Sequence, residues 1–600
     1  VVAADASLLR SIHGNINVLG NFVGKLNNDG DLLRLLDSRG NLANEVDYKP
    51  GGDWPSLAHG GGSSMELINP FMDNRLASAW RDSDESTKPK FKTYVTSGIY
   101  ESNALLTPIL PTDINELHLY LVSAGHVILD NIQIRKNGEG VNYIFNGKKM
   151  SINGVSESGW LAQGTHWATY IKDGQLHLIS DGRGDNRANR VEIDAPNLRK
   201  GEAYELRFDA KWVSGSPRLI AHTWDYSLCP SILLDVPPNL GTPGRPNSRR
   251  LATPAVQLDN LQHSPAVPRS SDTIAVSCRA KFPTTAAVKL IHRLDNDNGN
   301  SPWNSKPMTS NGDGTYTALL NEYKTSGNIV QFYVQASSPG GECLLPRGGA
   351  DRPAMLIVDD QVITKDLRYE RFVISAYDTG AMLGGNTNKY NWKFPRLNNH
   401  YFNATFINNE QEVYYNAEIH NSGSGYTRGG LDRGKWKLPL DRLFRDHHKL
   451  TYDNDPDGQA RHHNRLVRYW LYLLGEPVSE CEFVRVILNK NPSMLREETE
   501  PVSNDYLKRA WKHGTQGRLY RPEFTWWFRD DWTGGSPIGP SFEYKGSSDP
   551  RLYRHVWMKR TREAEDDYTD LTGFFKLISE NQYTQKQIEE ILDPEAVLKH

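Results

Sequence analysis

The residues best suited to chemistry lie in the C-terminal part of the chain. A turn of small residues, Ser422-Gly423-Ser424, leads into Arg428, Arg433, Lys435 and Lys437. Nucleotide phosphates need cations and exposed backbone N–H groups, which a Gly-rich turn supplies, and acidic residues to hold a metal. The same run equally describes a hairpin tip with solvated charges. Upstream, Trp160, His166, Trp167 and Trp224 offer aromatic faces for the apolar side of a pyranose ring, against the plainer reading that most of them are core. Asp295-Asn296-Asp297-Asn298-Gly299 opens like a Ca²⁺ loop but lacks the spaced glutamate that closes one, so a polar turn is the better reading. His447-His448 and His462-His463 are weak metal candidates, because adjacent histidines do not easily share one ion. Gly60-Gly61-Gly62 lacks the Lys-Ser/Thr of a P-loop, and nothing here has the order of a Ser-His-Asp site.

The elements that must position these residues change character along the chain. Residues 1–92 alternate short apolar runs with Gly, Asn and Asp turns, which predicts an antiparallel β module. Residues 93–250 predict a second all-β unit. From Tyr204 to Trp212 the apolar residues fall on one face and the charges on the other, the period-2 pattern of a half-buried strand. Leu117, Leu119 and Leu121, and Leu176 with Leu178, repeat it. Gly241 to Ser248 reads as a Pro/Gly/Ser linker by composition. Beyond it, 251–360 predicts a shorter β unit with strands at 275–279 and 330–334. In it Cys278 and Cys343 are either a disulfide or, the favoured reading, two buried thiols. From 361 to 600 helices join in. An apolar stripe of Leu466, Val467, Trp470, Leu473 and Leu474 stops at Gly475; Ser503 is placed to cap a helix through Leu507 and Trp511; Thr584 and Gln587 have capping-box spacing; and Asp593-Pro594 starts a last helix.

Lys+Arg 69 against Asp+Glu 72 gives a net charge of -3, which argues against a nucleic-acid partner. No apolar run approaches the ~20 residues that span a bilayer.

Four resemblances accompany these readings. Gly20 to Gly30, then Val46-Asp47-Tyr48 through Trp54-Pro55 to Ser64–Pro70, Asp73-Asn74 and Trp80, resemble the later half of a lamin-tail domain, an immunoglobulin-like sandwich. That implies opening strands before Val1. Asn146-Gly147 through Gly159-Trp160, Gly164-Thr165-His166 and Gly182–Asp185 are similar to a galactose-binding-like jelly roll and to some carbohydrate-binding modules. Residues 251–360 are similar to fibronectin type III sandwiches. Val413–Ala417 with Ser422-Gly423-Ser424, Phe483–Asn489, Glu500–Arg509, Gly517–Arg521, Glu543–Gly546 and Asp566–Leu571 resemble, in order, the motifs of the CotH (spore-coat protein H) kinase family.

The CotH resemblance implies that Lys437, with Lys435 beside it, faces phosphate and that Glu500 orients that lysine through an ion pair. Three positions depart from the family pattern: His420 stands for an arginine, Met494 for a glycine, and Pro501 interrupts the Glu500 strand. The family's Asn-x-Asp-Gly and Trp-Asp-x-Asp type motifs do not occur after residue 571. The expected fold is therefore multidomain, three β-sandwich or jelly-roll modules followed by an incomplete α+β kinase-like domain. The resemblance implies a fragment of an exported atypical protein kinase, using ATP with Mg²⁺ or Mn²⁺ on Ser or Thr of extracytoplasmic proteins, the fragment itself inactive. Missing downstream sequence would leave Phe574, Phe575, Leu577 and Ile578 exposed. The alternative is a non-catalytic cell-surface scaffold that binds glycans or other proteins. Either places the protein outside the cytoplasm, on the cell surface, extracellular or periplasmic.

Overall fold

A computed structural model describes the chain except residues 25, 28–29, 100–115, 137–140, 146–158, 186–187, 196–197, 200, 224–230, 282–286, 297–298, 300, 364–365, 384–392, 424–433, 438–441, 454–461, 512–516, 523–524, 527–536, 539, 555, 563–564, 581–582 and 594–600; residues 141–144, 223, 383, 434–437, 525–526 and 537–538 are described as backbone only. Strands dominate, arranged in several sheets, and the protein is multidomain and β-rich. No helix among the described residues is long and apolar enough to cross a membrane.

The first segment does not form a two-sheet module of its own among its described residues. It supplies a helix, Ala6–His13, whose Asp5 cap accepts from the Leu8 N–H. An exposed hairpin, Asp31–Leu36 with Leu42–Tyr48, and a short strand pair, Met65–Leu67 with Trp80–Asp82, follow. Ile68, Met72 and Ala79 are buried against Ala255. The Gly241–Ser248 stretch is bound to this segment rather than free. The buried Glu66 carboxylate accepts from the Thr242 and Ser248 hydroxyls and the Arg249 N–H, and Asn247 donates to the Leu67 carbonyl at 2.8 Å. Composition alone reads such a stretch as a linker, because the partner that fixes it is remote in sequence.

The described strands between Lys92 and Leu233 form two facing sheets over one core. One sheet contains Gly125–Lys136, Gln175–Ser180 and Ala203–Gly215; the other contains Glu116–Leu121, Val191–Asp194 and Arg218–Thr223. The core holds the residues that the alternation selects, including Leu117, Leu119, Leu121, Leu176, Leu178, Leu206, Phe208 and Trp212. A second sandwich follows around Val276, Cys278, Val330, Phe332 and Val334. Cys278 and Cys343 are free, buried thiols, and burial pushes Cys278 up to about 12.

Beyond it, seven strands close into a barrel. Closure comes from a parallel pairing of Tyr369–Val373 with Cys481–Leu488; the remaining pairs, through Phe402–Asn408, Glu412–Asn421, Gly434–Lys437, Lys449–Asp453 and Met494–Thr499, are antiparallel. Phe372, Phe402, Phe406, Phe444, Leu450, Val484 and Val486 fill it. The helix His463–Leu473 forms as its stripe predicts, but the stripe lies open: Val467, Trp470 and Leu473 are all exposed, Trp470 by 60%. Ser503 stands at the N-cap of Asn504–Ala510 without a side-chain cap bond, whereas Thr584 and Gln587 form the full capping box. Asp593-Pro594 leads outside the described residues. The helix Thr569–Ser579 corrects the expected exposed face. Phe575 is buried with Tyr553, Trp557 and Tyr568, and Phe574 and Ile578 pack partly against them.

Candidate functional site at the polar end of the barrel

The strand directions decide which side chains meet. The strand Gly434–Lys437 ends at Lys437, in register with Glu418 on one side and Lys449 on the other. Thr451, two residues on, pairs with Thr499, and Glu500 follows at once. Lys437 and Glu500 thus stand at the same end of the barrel but on opposite faces of the sheet: Glu500 is level with the core residue Leu450, whereas Lys437 takes the outer-face position of Lys449, so the expected ion pair between them is corrected. Lys435 pairs through its backbone with His420 and Thr451. Arg428 and Arg433 lie outside the described residues.

Glu500 is buried, and its carboxylate is engaged. Arg509, from the helix Asn504–Ala510, donates to it, as does the Glu480 N–H at 3.3 Å, and His447 Nδ1 lies 3.7 Å away. This cation was not foreseen as the partner of Glu500, although a helix five residues further on is an obvious source of one.

Just inside this end lies a charged cluster that the sequence did not single out. Arg368 donates to Glu370, to Glu498 at 2.6 Å and to Glu482 at 3.2 Å. Arg445 donates to Glu498 at 2.8 Å and to Glu482 at 2.9 Å. The Tyr452 hydroxyl touches Glu370 and lies 3.1 Å from Glu498. Burial, and then the neighbouring Glu498, raise Glu370 well above the usual carboxylate range. A neutral Glu370 solves two problems together. It leaves two guanidinium charges against two carboxylates, and its proton can be given to Tyr452 Oη while the tyrosine donates to Glu498. With Glu370 protonated, the cluster balances its charges. Its arginines already hold carboxylates, so a phosphate would have to displace them. The sequence signal was present in charged residues within otherwise apolar strands, Arg368 and Glu370 and then Arg496-Glu497-Glu498.

The sugar-stacking set is not assembled. Trp160 is core, edge-on to Phe145 at 5.9 Å. His166 is buried, its Nε2 accepts from the Leu121 N–H at 3.0 Å, and burial pulls it down to about 3. Both readings are corrected, because the rings face the protein interior. Trp167 is partly exposed but lies beside Phe394 and His400, with its Nε1 donating to Asp181 at 3.0 Å. Trp224 lies outside the described residues.

The remaining metal candidates have protein partners. Asp295 accepts from the Ala376 N–H at 2.6 Å and from Gln331 at 2.9 Å, and burial raises it to about 6, so it joins the second sandwich to the helix Ala376–Leu383. His447 faces Glu480 and His448 faces Asp505. Glu116, His118 and Glu192 bring ligand atoms within 4.8 Å of one another on the outer face of the first sandwich. There Arg190, 2.6 Å from Glu192, already supplies the positive charge.

No family model matches the chain, and no curated protein matches it. Among solved structures, a DUF4785 family protein from Legionella pneumophila is similar at 9% identity over 46% of this chain, with a TM-score of 0.12; this chain covers 65% of that one, under two thirds of its length.

Proposed function

We propose that the chain is part of an exported, multidomain surface protein with a CotH-like kinase-type domain, and that the end of the barrel at Lys435, Lys437 and Glu500 receives the phosphates of ATP. The observation that supports this is that the strand Gly434–Lys437 brings both lysines to outer-face positions, in register with Thr451 and Lys449, at the barrel end where Glu500 lies on the inner face. The Mg²⁺ or Mn²⁺ that the family resemblance implies does not fit the acidic groups described there. Glu370, Glu482 and Glu498 are held by Arg368 and Arg445, and Glu500 by Arg509. With Glu370, Glu482, Glu498 and Glu500 held in this way, these four do not hold the metal or align the acceptor hydroxyl, as phosphoryl transfer requires. The chain therefore binds nucleotide without transferring it. The test is label transfer from γ-³²P-ATP with Mn²⁺ to a generic Ser/Thr protein substrate. Background counts are expected, and robust metal-dependent transfer would contradict the reading.

A second reading, a non-catalytic scaffold for cell-surface proteins or glycans, is favoured by how tightly the units are joined. Gly164 donates to the Lys393 carbonyl at 2.7 Å, Asn189 to Leu397 at 3.2 Å, and Arg183 to Lys559 at 2.8 Å. Such joints hold binding surfaces in fixed relation.

A further inference from the structure

A cavity of about 970 Å³ lies where the first segment, the second sandwich and the barrel meet. That is the size of a small-molecule site, and junctions between units are where such sites gather. Its lining includes Arg81, Arg347 and Arg442, one from each unit, with Asp53, His263 and Tyr415.

What sets the three arginines apart is the nature of their partners. Arg81 Nη1 donates only to backbone carbonyls, of Ser78 at 3.2 Å and Trp80 at 2.9 Å. Arg347 Nη1 donates to the Asp53 carbonyl at 3.1 Å. Arg442 donates to the Val413 carbonyl at 2.9 Å and lies over the Tyr414 ring at 3.9 Å. None of the three forms an ion pair with a carboxylate among the described residues. Two more deeply buried arginines do so, Arg371 with Asp359 at 2.7 Å and Arg554 with Asp566 at 2.6 Å.

The acidic groups around the cavity are committed elsewhere. Asp259 holds Arg279 at 2.6 Å, Glu412 accepts from Asn408 at 3.1 Å, and Glu342 accepts from Gln335. The Asp53 carboxylate accepts from the Arg347 backbone N–H at 2.9 Å and from Asn416 at 3.4 Å. Burial, and then the nearby Arg81 charge, lower the proton affinity of Arg347, with Asp82 and Asp53 opposing them only in part. Half-buried guanidinium groups that repel one another and hold no carboxylate in a direct ion pair carry a desolvation cost, and an oxyanion between them reduces it.

We propose that this cavity binds a small ligand through an oxyanion, a carboxylate or a phosphate, held by Arg81 and Arg347 with Arg442 at the rim. The fork of donors on each guanidinium matches either group in a bidentate way. The site is independent of the barrel end that carries Lys437.

The test is titration of the whole chain with inorganic phosphate and with glucuronate, each against chloride at matched ionic strength, followed by calorimetry. Saturable binding of at least one probe is expected, at least tenfold weaker in Arg347→Gln and in Arg81→Gln. Arg442→Gln guards against misfolding, since Arg442 is exposed and its replacement leaves the core intact; it too is expected to weaken binding. Binding of phosphate alone identifies a phosphorylated ligand, and binding of glucuronate alone a sugar acid or other carboxylate. No saturable binding beyond chloride, or binding undiminished in Arg442→Gln and in folded Arg347→Gln, overturns the proposal.

Discussion

At the scale of single residues, the buried carboxyl group of Glu370 has its proton affinity raised. Glu370 is enclosed with Glu498, Tyr452 and Arg368, and its raised proton affinity follows first from burial and then from Glu498. Glu370→Gln keeps the shape and mimics the protonated acid, so it is expected to change stability by no more than about 1 kcal/mol at neutral pH. Glu498→Gln leaves Arg368 and Arg445 short of a counter-charge and is expected to cost about 3–5 kcal/mol, measured by urea unfolding. The pH dependence has a fixed sign. A carboxyl group whose folded value is raised binds its proton more tightly when folded, so its contribution is full below the unfolded value and is lost as pH rises through the folded one. The stability of the wild type relative to Glu370→Gln should therefore fall as pH rises above the ordinary 4.5. An unchanging difference would mean that Glu370 is ionised in the fold.

At the scale of elements, the contrast is between a filled barrel and a bare helix. Phe406→Ala opens a cavity among Phe372, Tyr414 and Phe444 and is expected to cost roughly 3–5 kcal/mol. Trp470→Ser, on the exposed stripe of His463–Leu473, is expected to change stability by less than about 0.5 kcal/mol. The strand at 203–215 was legible because its period-2 pattern is local and one face is buried. The helix at 463–473 was legible as a helix, but not as an exposed one, because periodicity records which face is apolar and not what covers it. The barrel was not legible. Its closing pair joins Tyr369–Val373 to Cys481–Leu488, and nothing in either strand names the other. The stretch from 241 to 248 misleads for a related reason, since Glu66 fixes it from far upstream. Glu66→Ala removes the acceptor for three donors and should cost roughly 1–3 kcal/mol. Limited proteolysis should then show cleavage between residues 241 and 250 that the wild type resists.

At the scale of the whole molecule, the arrangement of the candidate site was not legible in the sequence. The family resemblance points to Lys437 and Glu500, and the barrel carries both to one end but on opposite faces of the sheet. The sequence did not disclose Arg509 as the partner of Glu500, nor the cluster formed by Arg368, Glu370, Tyr452 and Glu498, because both depend on strand order. The sugar-stacking residues failed for another reason: Trp160 and His166 are types that serve a core as readily as a surface, and here they pack inward. Polar joints between units, such as Asn399 to Asp185 at 3.0 Å and the Asn399 N–H to Asn189 at 2.6 Å, leave no pattern in the sequence. The central claim is that the barrel end holds nucleotide through Lys437 while its carboxylates remain held by arginine. Its most direct test is calorimetric titration of ATP, without added metal, into the wild type and into Lys437→Ala. Saturable binding by the wild type, weakened at least tenfold in the variant, is the predicted result. No binding by the wild type, or equal binding by both, would contradict it.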